Sequence, residues 1–172
     1  SYIYGKSNLN WQCNLDDYYS ALQQTNNKGI ITVNYGYARY GTGNDPVAAA
    51  AHLAADWVRY DNGRTKLWEI GNENFGSWEW GYRIDRALNK DGQPEYVTGA
   101  LYAQHFKVFA DSMHKAATEV GSKIYIGSVA YDSPSTESWL TTTVKTWNTG
   151  MMSGISNKAD FYVVHNYFTP YD

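Results

Sequence analysis

Short apolar segments that alternate with longer amphipathic segments constrain the fold of this chain more than any other feature. The apolar segments are rich in β-branched and aromatic residues, as buried strands are, and they cover residues 30–35, 66–71, 123–129 and 160–167. Helical spacing predicts helices over residues 16–26, 47–59, 99–119 and 136–147. Nearly continuous apolar strands separated by helices indicate an α/β fold with a parallel sheet. The pattern alone leaves open whether the sheet closes into a barrel.

The composition excludes several classes of partner. Charged residues make up 18% of the chain and the net charge is -3, so we expect neither nucleic acid nor a membrane surface as partner. The sequence contains no run of about 18 apolar residues, which is the length needed to span a membrane. Cys13 is the only cysteine and has no histidine nearby, so we expect no disulfide, metal or cofactor. The aromatic content of 16% is high, and aromatic rings also stack on the apolar faces of sugars.

Polar side chains follow the predicted strands at the points where each strand ends. In parallel α/β proteins these ends meet at one edge and form the active site. The residues in question are Asn34, then Asn72 with Glu73, then Tyr131 with Asp132, and finally His165 with Tyr167. Amide, carboxyl and imidazole groups suit the hydroxyls of a sugar. The pattern therefore predicts a carbohydrate site.

Glu73 is the candidate general acid/base at this edge. Glycoside cleavage needs a proton delivered to the leaving oxygen, which a carboxylic acid can supply. The structural alternative is a carboxylate paired with a cation such as Arg39. Asn72 has two readings as well, since its amide could bind the sugar hydroxyl next to the anomeric carbon or could cap the loop.

Glu69 is the obvious second carboxylate, but strand geometry separates it from Glu73. Four residues of strand span about 13 Å at about 3.3 Å per residue. A retaining pair of carboxyl groups is about 5 Å apart and an inverting pair about 6.5–9.5 Å. We therefore expect Glu69 to be a barrel-interior residue matched to a cation. Neither Asp132 nor Asp172 is convincingly placed, so the nucleophile is expected outside this chain.

The predicted loop after residue 75 is long and rich in aromatic residues. Trp78, Trp80 and Tyr82 could form a platform for a sugar, although a folded loop would also bury such rings. His165 and Tyr167 lie two apart on one face of a strand end, where they could orient a carboxylate or bind substrate. A core histidine and a rim tyrosine are the alternative. Residues 89–92 have poor spacing for a calcium loop, so no metal site is predicted.

Three segments together resemble a family. Residues 68–73, Trp-Glu-Ile-Gly-Asn-Glu, resemble the acid/base motif that ends strand four of clan A retaining glycoside hydrolases. Residues 33–36, with the Ala-rich helix that ends at residues 57–60, are similar to the preceding unit of family 51 arabinofuranosidases. Family 86 agarases are similar in the same way. Residues 160–167 resemble the strand-six His-x-Tyr segment of those enzymes.

This resemblance implies a partial (β/α)8 TIM barrel, because the chain supplies about four strand–helix units from the middle of a fold that needs about 250 residues. Residues 1–172 would then be a single domain, a fragment of the catalytic barrel. Glu73 would be the acid/base and Asn72 a substrate contact. His165 and Tyr167 would line a subsite near the nucleophile, a glutamate on strand seven beyond this chain.

We therefore expect a retaining glycoside hydrolase that acts on a plant or algal polysaccharide and is extracellular or periplasmic. Trp78 and Trp80 would bind substrate together with Asn34, Asn72, His165 and Tyr167. The remaining barrel strands would come from the same longer chain or from another chain. The alternative is a non-catalytic carbohydrate-binding or scaffold protein with a degenerate barrel. An open-sheet nucleotide binder is disfavoured, because residues 36–43 have glycines without the phosphate-loop spacing.

Overall fold

The computed structural model of the chain describes residues 13–132, 138 and 140–166. Five helices and four strands lie within these residues. In chain order they are α1 (Leu15–Thr25), β1 (Ile30–Val33), α2 (Gly36–Tyr40), α3 (Pro46–Asp61), β2 (Leu67–Ile70), α4 (Gly99–Glu119), β3 (Tyr125–Ala130), α5 (Thr142–Ile155) and β4 (Phe161–Val164).

The four strands form one sheet in which every pair is parallel and the spatial order is the chain order. In the register of the sheet, Thr32 lies beside Glu69, Glu69 beside Gly127, and Gly127 beside Phe161. All four carboxyl ends therefore meet at the same edge. The predicted α/β fold with a parallel sheet is confirmed.

Local capping explains where the main helices begin. The Asn14 side chain accepts a hydrogen bond from the backbone N–H of Asp17, and Asp17 returns one to Asn14, which forms a capping box on α1. Asp45 caps α3 and is followed by proline in the first turn, where the missing N–H costs nothing. Thr98 caps α4 with its hydroxyl. These caps place three helices close to their predicted bounds.

One hydrophobic core joins the helices to a single face of the sheet. Along β1, Ile31 and Val33 are buried in this core, whereas Ile30 and Thr32, which alternate with them, are exposed. The opposite face presents a row of three register neighbours, Ile30, Leu67 and Tyr125, which are 41%, 40% and 38% exposed. This face is therefore open at the amino ends of β1, β2 and β3, whereas Glu69, further along β2 on the same face, is buried.

Two helices differ from the prediction. None of the predicted helices covers residues 36–40, but α2 forms there and its Arg39 is fully buried. The helix predicted over residues 136–147 begins and ends later, because α5 runs from Thr142 to Ile155. Gly150 within α5 weakens the helical signal in the sequence, yet it lets α5 approach α4 closely, where an added Cβ would meet the backbone N of Ala100.

Within the described ranges, none of the helices combines the length and the apolar character that crossing a bilayer requires.

Candidate functional site

The chain turns sharply where β2 ends. Gly71 has a φ of 80° and Glu73 a φ of 40°, so two of the three residues after β2 lie in or near the left-handed region. Glycine adopts this conformation freely, whereas an L-residue with a Cβ is strained there by about 1–2 kcal/mol. Strain of this kind is concentrated at functional sites. Asn26, Asn62 and Ser156 also have positive φ, but each caps the end of a helix, which Glu73 does not.

Both carboxylate oxygens of Glu73 have a partner. Oε1 lies 2.9 Å from Nδ1 of His165, and Oε2 accepts a hydrogen bond of 2.8 Å from the indole N–H of Trp78. The Glu73 side chain is 18% exposed, so the carboxylate is oriented by two groups while part of it remains accessible. This is the state expected of a group that meets a substrate.

His165 follows β4, and the parallel pairing of β2, β3 and β4 brings it to Glu73 across the sheet edge. Its side chain is 32% exposed, so it is not a fully buried core histidine. The structure therefore unites Glu73 and His165, two residues predicted for the site. Tyr167, the other residue predicted beside them, lies outside the described residues.

Arg39 does not pair with Glu73, where His165 is the group that can carry a positive charge, so only the Arg39 form of the structural alternative is wrong. Its buried guanidinium donates instead to the carbonyl oxygens of Gly81, Pro94 and Glu95 and to Oε1 of Gln93. These bonds tie α2 to the long loop between β2 and α4. Arg39 thus stabilises the loop that carries the tryptophans.

Glu69 is matched to a hydroxyl rather than to a cation, which corrects the prediction. Its Oε2 accepts a hydrogen bond of 2.8 Å from Thr32, its neighbour in register, and its Oε1 has no hydrogen-bond partner among the described residues. Burial raises the pKa of the Glu69 carboxyl, while the Thr32 hydrogen bond and the charge of His165 act in the opposite direction. Glu69 is only 4% exposed, which fits its predicted place inside the fold.

Asn72 is fixed by a residue that the sequence did not single out. Its Nδ2 donates a hydrogen bond of 2.8 Å to Oε1 of Glu79, seven residues along the loop. Its carbonyl oxygen forms no hydrogen bond with the described residues. The only sequence signal for Glu79 is its place between Trp78 and Trp80.

A cavity of about 520 Å³ opens at the carboxyl ends of β1 and β2, with Asn34, Asn72 and Glu79 in its wall. Trp80 and Tyr40 line it as well, and their rings meet edge to face with centroids 5.9 Å apart. The side-chain oxygen of Asn34 accepts a hydrogen bond of 3.2 Å from the backbone N–H of Tyr37, which lies in the first turn of α2. Three residues predicted to bind substrate thus share one cavity: Asn34, Asn72 and Trp80.

The aromatic residues of the loop divide into two groups. Trp78 and Trp80 are 65% and 80% exposed, so the loop does not bury them. Tyr82 is buried and packs edge to face on Tyr96, which removes it from the predicted platform. Trp78 contacts Phe75 and donates a hydrogen bond to Glu73. Its indole therefore orients the Glu73 carboxylate and is not one of the residues that line the cavity.

The described part of the chain contains no group of three or more His, Cys, Asp or Glu side chains that could hold a metal ion. Comparison of the chain with protein-family models, curated proteins and solved structures gives no match. The resemblance to glycoside hydrolases therefore rests on the motif residues alone.

Proposed function

We propose that this chain is part of a retaining glycoside hydrolase in which Glu73 is the general acid/base. The observation that carries the proposal is the strained Glu73 just after β2, held at both oxygens by His165 and Trp78, with its neighbours Asn72 and Asn74 in the wall of an aromatic-lined cavity. The substrate would be a plant or algal polysaccharide, met outside the cytoplasm. The resemblance of residues 68–73 to the acid/base motif supports the same assignment.

The proposal includes a (β/α)8 barrel, of which this chain forms about half. Parallel strands in chain order, helices on one face and an apolar row on the other are features of a barrel wall. In a barrel, Ile30, Leu67 and Tyr125 would face the interior. The remaining strands would come from a longer chain or from another chain.

In the proposed mechanism, protonated Glu73 gives its proton to the glycosidic oxygen as the C–O bond breaks. A carboxylate from the missing part of the barrel attacks the anomeric carbon and forms a covalent glycosyl-enzyme. Glu73, now ionised, takes a proton from water as that water displaces the enzyme carboxylate. Asn72 would bind the hydroxyl next to the anomeric carbon through its carbonyl oxygen, which has no hydrogen-bond partner among the described residues.

A non-catalytic carbohydrate-binding protein is the second candidate. It is favoured by one observation, that the cavity and its exposed Trp80 and Tyr40 suit sugar binding without any catalytic carboxylate.

The deciding experiment is Glu73→Gln in the full-length protein. We expect loss of turnover on unactivated oligosaccharides, which need a proton at the leaving oxygen. Dinitrophenyl glycosides should still form the glycosyl-enzyme, since their leaving group needs no acid, and the intermediate should accumulate as a mass increase of one sugar.

Glu119→Gln is the matched control, because Glu119 ends α4 and pairs with Arg59 on the surface. Its turnover should equal that of the wild type. Wild-type rates in Glu73→Gln on unactivated substrates would refute the assignment. Sugar binding by an inactive wild type would favour the second candidate.

A further inference from the structure

The described wall of the cavity at the carboxyl ends of β1 and β2 carries a negative charge but no positive charge. Among the described residues of its wall, Glu79 is the only charged one, and none of them is a lysine, arginine or histidine. The remaining polar groups are amides and hydroxyls, as in Asn34 and Asn72. A ligand in this cavity therefore meets a carboxylate with no cation to balance it.

Glu79 has a second role through Asn72. Because a carboxylate only accepts, the hydrogen bond of 2.8 Å fixes Nδ2 of Asn72 toward Glu79 and leaves the carbonyl oxygen as the free end of the amide. The free carbonyl accepts hydrogen bonds from hydroxyls. The other oxygen of Glu79 forms no hydrogen bond with the described residues, so it can accept from a second hydroxyl.

Trp80 and Tyr40 supply the apolar contact of this site. Their rings meet at 66° with centroids 5.9 Å apart, and 80% and 43% of their surfaces are exposed. Rings that face solvent at the rim of a cavity with amide and carboxylate groups in its wall suit the apolar face of a sugar ring.

We propose that this cavity is a subsite for an uncharged sugar unit, with Glu79 as the residue that orients Asn72 and excludes anionic sugars. The ligand class is a neutral oligosaccharide, and uronic or sulfated sugars are rejected because their charge would lie beside the unbalanced Glu79 carboxylate. That the ligand is a sugar rests on the proposed function.

The test is calorimetric binding to this 172-residue chain at low salt. The neutral probes are arabinohexaose and agarohexaose, and the anionic probes are hexagalacturonate and a κ-carrageenan hexasaccharide. We expect at least one neutral probe to bind at least tenfold more tightly than both anionic probes. The difference should shrink at high salt, which screens the charge.

Substitutions at Glu79 separate the effect of its hydrogen bond to Asn72 from the effect of its charge. Glu79→Gln keeps an acceptor for Asn72, so affinity for the neutral probe should stay within about twofold while the preference over anionic probes falls to about threefold or less. Glu79→Ala should weaken neutral binding at least fivefold. Trp80→Ala should weaken it about tenfold, and the high exposure of Trp80 makes a folding defect unexpected. Glu119→Gln, which changes the net charge equally, should leave all affinities unchanged.

Three outcomes would overturn the subsite. One is equal or tighter binding of the anionic probes, another is no binding of any probe, and the third is an unchanged preference in Glu79→Gln. The hydrolysis test of Glu73→Gln is independent of these results. Charge-selective binding without Glu73-dependent turnover would leave the subsite standing and remove the catalytic assignment, whereas the reverse would remove only the subsite.

Discussion

Nδ1 of His165 lies 2.9 Å from Oε1 of Glu73, although 92 positions separate the two residues in the chain. The contact joins the end of β4 to the end of β2. It makes His165 a positioning residue for the proposed acid/base, because it fixes one oxygen of the carboxylate while Trp78 fixes the other.

Replacing His165 with alanine should lower kcat about 10–100-fold in the full-length protein and leave KM within about threefold, since orientation of the carboxylate is lost while the cavity is unchanged. Steady-state kinetics on an oligosaccharide would measure this. His52→Ala is the matched control, because His52 lies on the exposed surface of α3 with a 72% exposed side chain. Equal kcat in His165→Ala and wild type would contradict the positioning role.

The strained backbone at Glu73 makes a prediction about stability. Glu73→Gly and Glu73→Ala both remove the carboxylate, but only glycine is relaxed at a φ of 40°. The glycine variant should therefore be more stable than the alanine variant by about 1 kcal/mol in urea unfolding of this chain. At exposed Gln104 within α4 the order should reverse, with alanine about 1 kcal/mol more stable. If the alanine variant were also the more stable one at position 73, Glu73 would be unstrained.

Arg39 should be a main determinant of stability in the loop between β2 and α4. Arg39→Met removes four hydrogen bonds and leaves buried acceptors at Gly81 and Gln93 without a donor. We expect a loss of about 3–5 kcal/mol in the free energy of unfolding. Arg83→Met is the control, since Arg83 is 67% exposed and solvent screens its ion pair with Glu95, so that its loss should change stability far less. Similar losses in the two variants would contradict the anchoring role.

The buried His105 predicts a dependence of stability on pH. Burial, followed by the charge of Arg39, lowers the pKa of His105 to about 4, below the unfolded value of 6.5, while Asp45 and Asp91 oppose the shift. The folded state therefore favours neutral His105. The contribution of His105 to the free energy of unfolding is fully present above pH 6.5. It is lost as the pH falls through 6.5 toward 4, which lowers the free energy of unfolding by about 3 kcal/mol in total.

Urea unfolding of the wild type and of His105→Gln between pH 4 and 7 would measure this effect. The difference between the two proteins isolates His105 from the opposite trend of Glu69, whose raised pKa favours folding as the pH falls. His105→Gln should flatten the loss of stability, because glutamine can still bond to the Tyr35 hydroxyl but does not titrate in this range. An exposed-site control, His52→Gln, should leave the slope unchanged.

The sheet and the long helices could be predicted because their signals are local. The β-branched run of β1, the proline after Asp45 and the spacing of α4 each act within a few residues. The short helix α2 and the end of α5 could not be predicted in this way. They depend on the buried bonds of Arg39 and on the close approach of α5 to α4, which are tertiary effects.

In the candidate site, too, local signals were predictable from the sequence and tertiary contacts were not. Glu73 and Asn72 stood out because they follow a strand, which the chain order reveals. The partner of Glu69 could not be predicted, because it is set by strand register, which places Thr32 beside it. Glu79 was missed because its bond to Asn72 depends on the path of an irregular loop, and no periodicity describes such a path.

The contact between Glu73 and His165 also bears on the order of folding. Its two residues close a loop of more than half the chain, and loop closure of this length is entropically unfavourable until intervening contacts have formed. β4 pairs only with β3 in the described sheet, so this contact forms after β3 has docked on β2. During synthesis, the candidate catalytic group would thus acquire its orienting partner only once nearly all of this chain had emerged.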